Sequence, residues 1–203
     1  MMIVMIAFMI MIMYSQAMKT SKANVELNRE KLLQAASEGF RKRGFDGVKV
    51  SDVMQGAGLS HGGFYTYFKS KDDLVAQACN QSLKKQAGRL KAAKGEGKTE
   101  LKAYIERYLS TKNRDAPEHA CLFPSLAAEV ARQPEAVRTI FSEGVGDYLE
   151  ALGGLTEGEG RGEAITILSS LVGAMVLARA VSDPMLSDEI LATAKAALSA
   201  QYG

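Results

Sequence analysis

From Asn24 to the end of the chain, apolar residues recur at three- and four-residue steps and never alternate over the length of a strand, which commits the chain to helices. Val25, Leu27, Leu32, Ala35, Ala36 and Phe40 are expected to line one face of a helix over 24–43, ended by Gly44 as a C′ glycine. Ser51 is expected to cap a short second helix that Gly56-Ala57-Gly58 ends. Ser60 is expected to cap a compact third stretch, and Ser70 with Asp73 makes a partial capping box before a helix reaching about Lys91. Further helical stripes run through Leu101–Leu109, Pro124–Ala131 and Val137–Leu152. The segment 164–181 is apolar nearly all round, and Ser187 is the expected cap of the last helix.

Three helices over 24–70, the second and third short and joined by Gly58-Leu59, have the grammar of a helix-turn-helix. The fold class expected is all-α: an N-terminal three-helix helix-turn-helix domain at 24–71, followed by a larger helical domain at 72–203. Residues 1–17 are set apart as an apolar extension. Met1–Tyr14 is an unbroken apolar run too short to span a bilayer as a helix, and it lacks the basic residues of a secretory signal. Seven of the ten methionines fall within the first eighteen positions, and Met18-Lys19-Thr20 reads as an ordinary polar start. Residues 1–17 are therefore expected to be an upstream extension that is not native, or disordered. A membrane-tethered interaction protein is the remote alternative, and it leaves residues 50–71 without a role.

Charge divides the chain in the same way. Residues 18–71 carry ten Lys/Arg against five Asp/Glu, whereas the rest has an acidic excess of three. A basic first domain suits a polyanion. Two cysteines and two histidines exclude a disulfide framework and a His-rich metal site, so no metal and no cofactor are expected, and the compartment is expected to be reducing and cytoplasmic. An enzyme would have to use His119-Ala120-Cys121, but positions i and i+2 of a helix do not face each other, and there is no phosphate loop or nucleophile elbow.

The stretch VSDVMQGAGLSHGGFYTYFKSK at 50–71, with the Phe40-x-x-x-Gly44-Phe45 ending before it and Asp72-x-Leu74 after it, resembles the helix-turn-helix signature of the TetR/AcrR family of transcriptional regulators. The resemblance is strong over about fifty residues and, beyond residue 95, extends only to length and helical character. It implies base or backbone contacts to DNA from His61, Gly62, Gly63 and Tyr65, with Ser60 in the same turn, and phosphate contacts from Lys49, Ser51, Thr66, Tyr67 and Lys71. Gly62 and Gly63 offer little side chain for reading bases, which shifts that task to His61, Tyr65 and Tyr67. It also implies a homodimer on a palindromic double-stranded operator, paired through helices at about 164–181 and 187–202, and a repressor released by a small organic effector. The effector pocket is expected among Tyr104, Tyr108, Cys121, Phe123, Phe141 and Tyr148, with no membrane involved. An alternative makes Cys121 itself an electrophile or redox sensor.

Overall fold

The structure, a computed structural model, describes residues 2–92, 98–156 and 160–202, and the side chains of these except at 2–21, 61 and 98. Among the described residues there are nine α-helices and two short 3₁₀ helices. The helix α1 (Met2–Arg43) runs into α2 (Val50–Gly56) and a 3₁₀ helix at His61–Thr66. Then come α3 (Lys71–Ala92), α4 (Lys98–Tyr108), α5 (Thr111–Asp115) and a 3₁₀ turn at Pro117–His119. The chain finishes with α6 (Phe123–Val130), α7 (Glu135–Gly153), α8 (Arg161–Ala180) and α9 (Pro184–Tyr202). The backbone of 2–17 is helical and continuous with the rest of α1. No Gly or Pro interrupts the sequence before Gly39.

The buried face of α1 begins at Leu32; Val25 and Leu27, assigned to its apolar face, are exposed. Leu32, Leu33, Ala36 and Phe40 are buried with Phe45, Val48, Val53, Met54, Phe64 and Phe68, the N-terminal part of one core that continues through the later helices. Gly44 turns the chain out of α1 at φ 75°, its N–H donating to the Phe40 carbonyl at 2.8 Å. The end of α2 is a Schellman motif. Gly58 at φ 72° donates to Gln55 O at 3.0 Å, and Leu59 N–H reaches Met54 O at 2.9 Å.

Two of the expected caps fall elsewhere. α2 begins a residue before Ser51, with Lys49 at its N-cap, and the Asp52 carboxylate accepts the Lys49 N–H at 3.3 Å. α9 starts at Pro184, where Asp183 accepts the Met185 N–H at 2.9 Å; Ser187 is instead buried, donating to Ala178 O at 2.6 Å. At the start of α3 the Ser70 cap forms as expected, and Asp73 reaches one residue past the N-cap of a full capping box. Asp73 N–H donates to Ser70 Oγ at 3.1 Å, and the Asp73 carboxylate reaches back to the Lys69 N–H at 2.9 Å.

In the second domain α3 lies along α7 so closely that a Cβ on Gly144 would come within 2.8 Å of Leu83 Cβ. α8 packs on α7 and α9 with Ala164, Ile167, Leu171, Met175 and Ala178, while Ile165, Val176 and Leu177 face outward. The expectation of burial on several sides therefore holds for one side only. By length and composition α8 could also cross a bilayer.

Candidate nucleic-acid interface and ligand cavity

The turn held by Gly58 delivers Ser60 to the 3₁₀ helix at the outer edge of the first domain. The tandem Gly62-Gly63 and a length of six residues explain why this segment is 3₁₀ rather than the α-helix its pattern suggested. Phe64 and Phe68 are buried, their rings 5.7 Å apart, and they anchor the segment. Tyr65 between them points outward at 80% exposure.

Lys49, Ser51, Ser60, Gly62 and Thr66 are exposed as well; Gly63, Tyr67 and Lys71 are half-buried. A Cβ at Gly62 would meet nothing within 4 Å, so the fold itself does not require glycine there. Tyr67 has a partner within the protein, since its hydroxyl accepts from Asn28 Nδ2 at 3.3 Å. The His61 side chain lies outside the described residues. Arg43, which the sequence reading did not single out, pairs with Asp52 at 3.1 Å. The Lys49 N–H and then Arg43 hold the Asp52 carboxyl below its ordinary range.

A second site lies in the helical domain, a cavity of about 210 Å³ walled by α3, α4, α7 and the segment 119–121. Tyr104, Tyr108, Cys121 and Tyr148 all line it. Phe123 and Phe141 do not; their rings stack edge-on 5.6 Å apart, and Phe123 packs on Tyr148 at 5.1 Å. The Tyr104 and Tyr148 hydroxyls hydrogen-bond to each other. Burial pushes the Cys121 thiol above its ordinary pKa and that of Cys79, on α3, up to about 12, so neither is a ready thiolate.

Gln86, Arg89 and Arg107 also reach the cavity. Gln86 had a sequence signal: it interrupts the stripe Leu83–Leu90 at positions i+3 and i−4. The segment that carries His119 and Cys121 is tied to the first domain. Arg41 Nε donates to the Glu118 carbonyl at 2.8 Å, and Arg41 Nη1 to Ser82 Oγ at 3.0 Å. Glu129 accepts the Phe45 N–H at 2.7 Å and joins α6 to the turn after α1.

A three-helix unit that presents a short, exposed segment from a glycine-held turn, followed by a helical region that holds a cavity, defines a helix-turn-helix protein. Residues 32–78 match the family described as bacterial regulatory proteins, tetR family. The chain is 42% identical over 50 residues to the HTH-type transcriptional regulator YdgC of Bacillus subtilis, covering 25% of this chain and 26% of that protein. It is 27% identical over 120 residues to the HTH-type transcriptional repressor NemR of Escherichia coli, covering 57% of this chain and 60% of NemR. The matched stretches thus span about a quarter of YdgC and less than two thirds of NemR. The crystal structure of E. coli NemR in its reduced form has the same fold, with a TM-score of 0.71 at 24% identity over 87% of this chain and 97% of that one. Residues 32–78 thus carry the helix-turn-helix domain of tetR-family bacterial regulatory proteins, and the chain has the fold of the reduced NemR structure.

Proposed function

We propose that the chain works in the cytoplasm as a homodimeric repressor that holds a palindromic DNA operator through the segment Ser60–Tyr67 and lets go when a small organic molecule occupies the cavity of the second domain. The observation that carries the reading is the division of labour within Phe64-Tyr65. One ring is buried as an anchor, and its neighbour is an exposed aromatic with a polar tip that the fold does not use.

Exposed Lys49 and Lys69, with Lys71 at the start of α3, flank that segment in the chain and suit phosphate contacts, while Ser60, Gly62, Gly63 and Tyr65 suit contacts to base edges. One such module covers little duplex, so a second copy is needed. Exposed Ile165, Val176 and Leu177 of α8, with Met185 and Leu186 of α9, offer an apolar face for that pairing. The effector acts only through its differential affinity for the DNA-competent and DNA-incompetent conformers. A direct thiol sensor at Cys121 has access to the cavity in its favour, but its raised pKa favours a reversible ligand.

The test is a mobility shift with the DNA flanking the chain's own coding region. Binding that falls steeply between low and physiological salt, with two chains per site, is the expected result. A folded dimer that leaves this DNA unshifted at low salt overturns the reading.

A further inference from the structure

Two polar atoms in the wall of the second-domain cavity lack partners. Tyr108 Oη is buried with no hydrogen bond, its polar neighbour being the weakly bonding Cys121 thiol, and Gln86 Oε1 is buried and unpartnered too. Native proteins leave few such atoms, because desolvation without a hydrogen bond costs free energy. A single ligand hydroxyl answers both, accepting from the Tyr108 hydroxyl and donating to Gln86 Oε1.

The charged groups of the lining point to the rest of the ligand. Arg89, Arg107 and His119 reach the cavity, and among the described residues no carboxylate does. Neither arginine is ion-paired with another described residue. The Arg107 guanidinium stands 5.7 Å from the Tyr104 ring centroid, where cation–π contact orients it. Tyr104, Tyr108 and Tyr148 supply aromatic walls, and about 210 Å³ falls short of the roughly 300–1,000 Å³ of drug-sized sites, so the occupant is a single ring.

We propose that the cavity takes a compact aromatic carboxylate carrying a ring hydroxyl, with its carboxylate toward Arg107 and Arg89 and its hydroxyl between Tyr108 and Gln86. The proposal rests on the effector reading above for its place in regulation, but binding is tested without DNA. Calorimetric titration of the full-length protein compares 3- and 4-hydroxybenzoate with the matching hydroxybenzamides and with benzoate. At least one hydroxybenzoate is expected to bind tenfold or more tightly than its amide and several-fold more tightly than benzoate. Arg107→Gln is expected to abolish the preference for the acid. Tyr108→Phe is expected to abolish the preference for the hydroxyl without lowering the melting temperature, since it removes an unpartnered buried group. Equal affinity for acid and amide overturns the proposal, as does silence from both hydroxybenzoates at millimolar concentration on protein of native circular dichroism. Binding that leaves the DNA complex intact supports the ligand class while removing the effector reading, so the two can fail separately.

Discussion

Tyr65 and Phe64 are adjacent, chemically similar and differently used. Phe64 is 3% exposed and packs edge-on against Tyr65 at 5.4 Å. Truncating it to alanine is expected to cost about 3–5 kcal/mol, as for other buried phenylalanines. Tyr65→Ala leaves the core intact, so denaturant midpoints are expected to stay within about 0.5 kcal/mol of the parent. Specific DNA affinity is expected to fall about tenfold or more, at the lower end of what a base contact contributes. Parallel urea melts and mobility shifts on the two variants check this, and equal DNA affinity for Tyr65→Ala and the parent rejects the role of Tyr65. Asp52 makes a pH prediction. Its carboxyl is held below the ordinary range by the Lys49 N–H and by Arg43, so the stabilisation it gives is present above its unfolded pKa and is lost as pH falls through its folded one. Acid titration of the unfolding midpoint is expected to decline less for Asp52→Asn than for the parent. Tyr67 was assigned to phosphate by the family resemblance. Its bond to Asn28, 39 residues away, depends on how α1 crosses the segment, which local pattern does not encode.

At the scale of elements, the helices were legible wherever an apolar stripe ran long, and their ends were less so. Ser51 and Asp183 are both good N-cap residues; the chain uses Asp183, whereas Ser51 lies inside α2 with its hydroxyl donating to Asp52 Oδ1. The turn after α2 was read correctly because glycine was the signal. Gly58 sits at φ 72° with nothing within 4 Å of the Cβ it lacks, so Gly58→Ala meets no neighbour and its whole cost is backbone strain. A loss of about 1–2 kcal/mol is expected. Gly144→Ala tests the opposite cause. Its φ is ordinary, but the added methyl meets Leu83, and overpacking is expected to cost about 1–3 kcal/mol less the gain in helix propensity. Thermal melts of the pair separate the two causes. In the double variant Gly144→Ala with Leu83→Ala, loss of Leu83 Cγ and Cδ1 relieves part of the clash while the Cβ at 2.8 Å remains, whereas no neighbouring truncation rescues Gly58→Ala.

Across the whole molecule, the two domains share a joint that local pattern could not reveal, because each half of every contact looks like an ordinary surface residue. Arg41 belongs to α1, yet its guanidinium is spent on the Glu118 carbonyl and on Ser82 of α3, with Ser37 beside it at 2.8 Å. Burial lowers its pKa from the ordinary arginine value, but a guanidinium remains charged throughout the working range. Glu118 is followed directly by His119, Ala120 and Cys121, which line the cavity, so any shift of that segment on ligand binding is handed to α1 and to the turn that aims Ser60–Tyr67. Coupling of this kind is a free energy, typically about 1–3 kcal/mol, or roughly 5–150-fold in affinity, and it is reciprocal. Arg41→Ala leaves the Glu118 carbonyl without its donor and is expected to lower stability by about 1–3 kcal/mol. DNA affinity without ligand is expected to change little, since no base or phosphate is assigned to Arg41. The ratio of DNA affinities with and without a bound hydroxybenzoate is expected to collapse toward unity. Glu129→Gln, which keeps an acceptor for the Phe45 N–H, is expected to retain most of that ratio. A full ratio in Arg41→Ala, with the ligand still bound, locates the coupling in some other contact between α1 and the second domain.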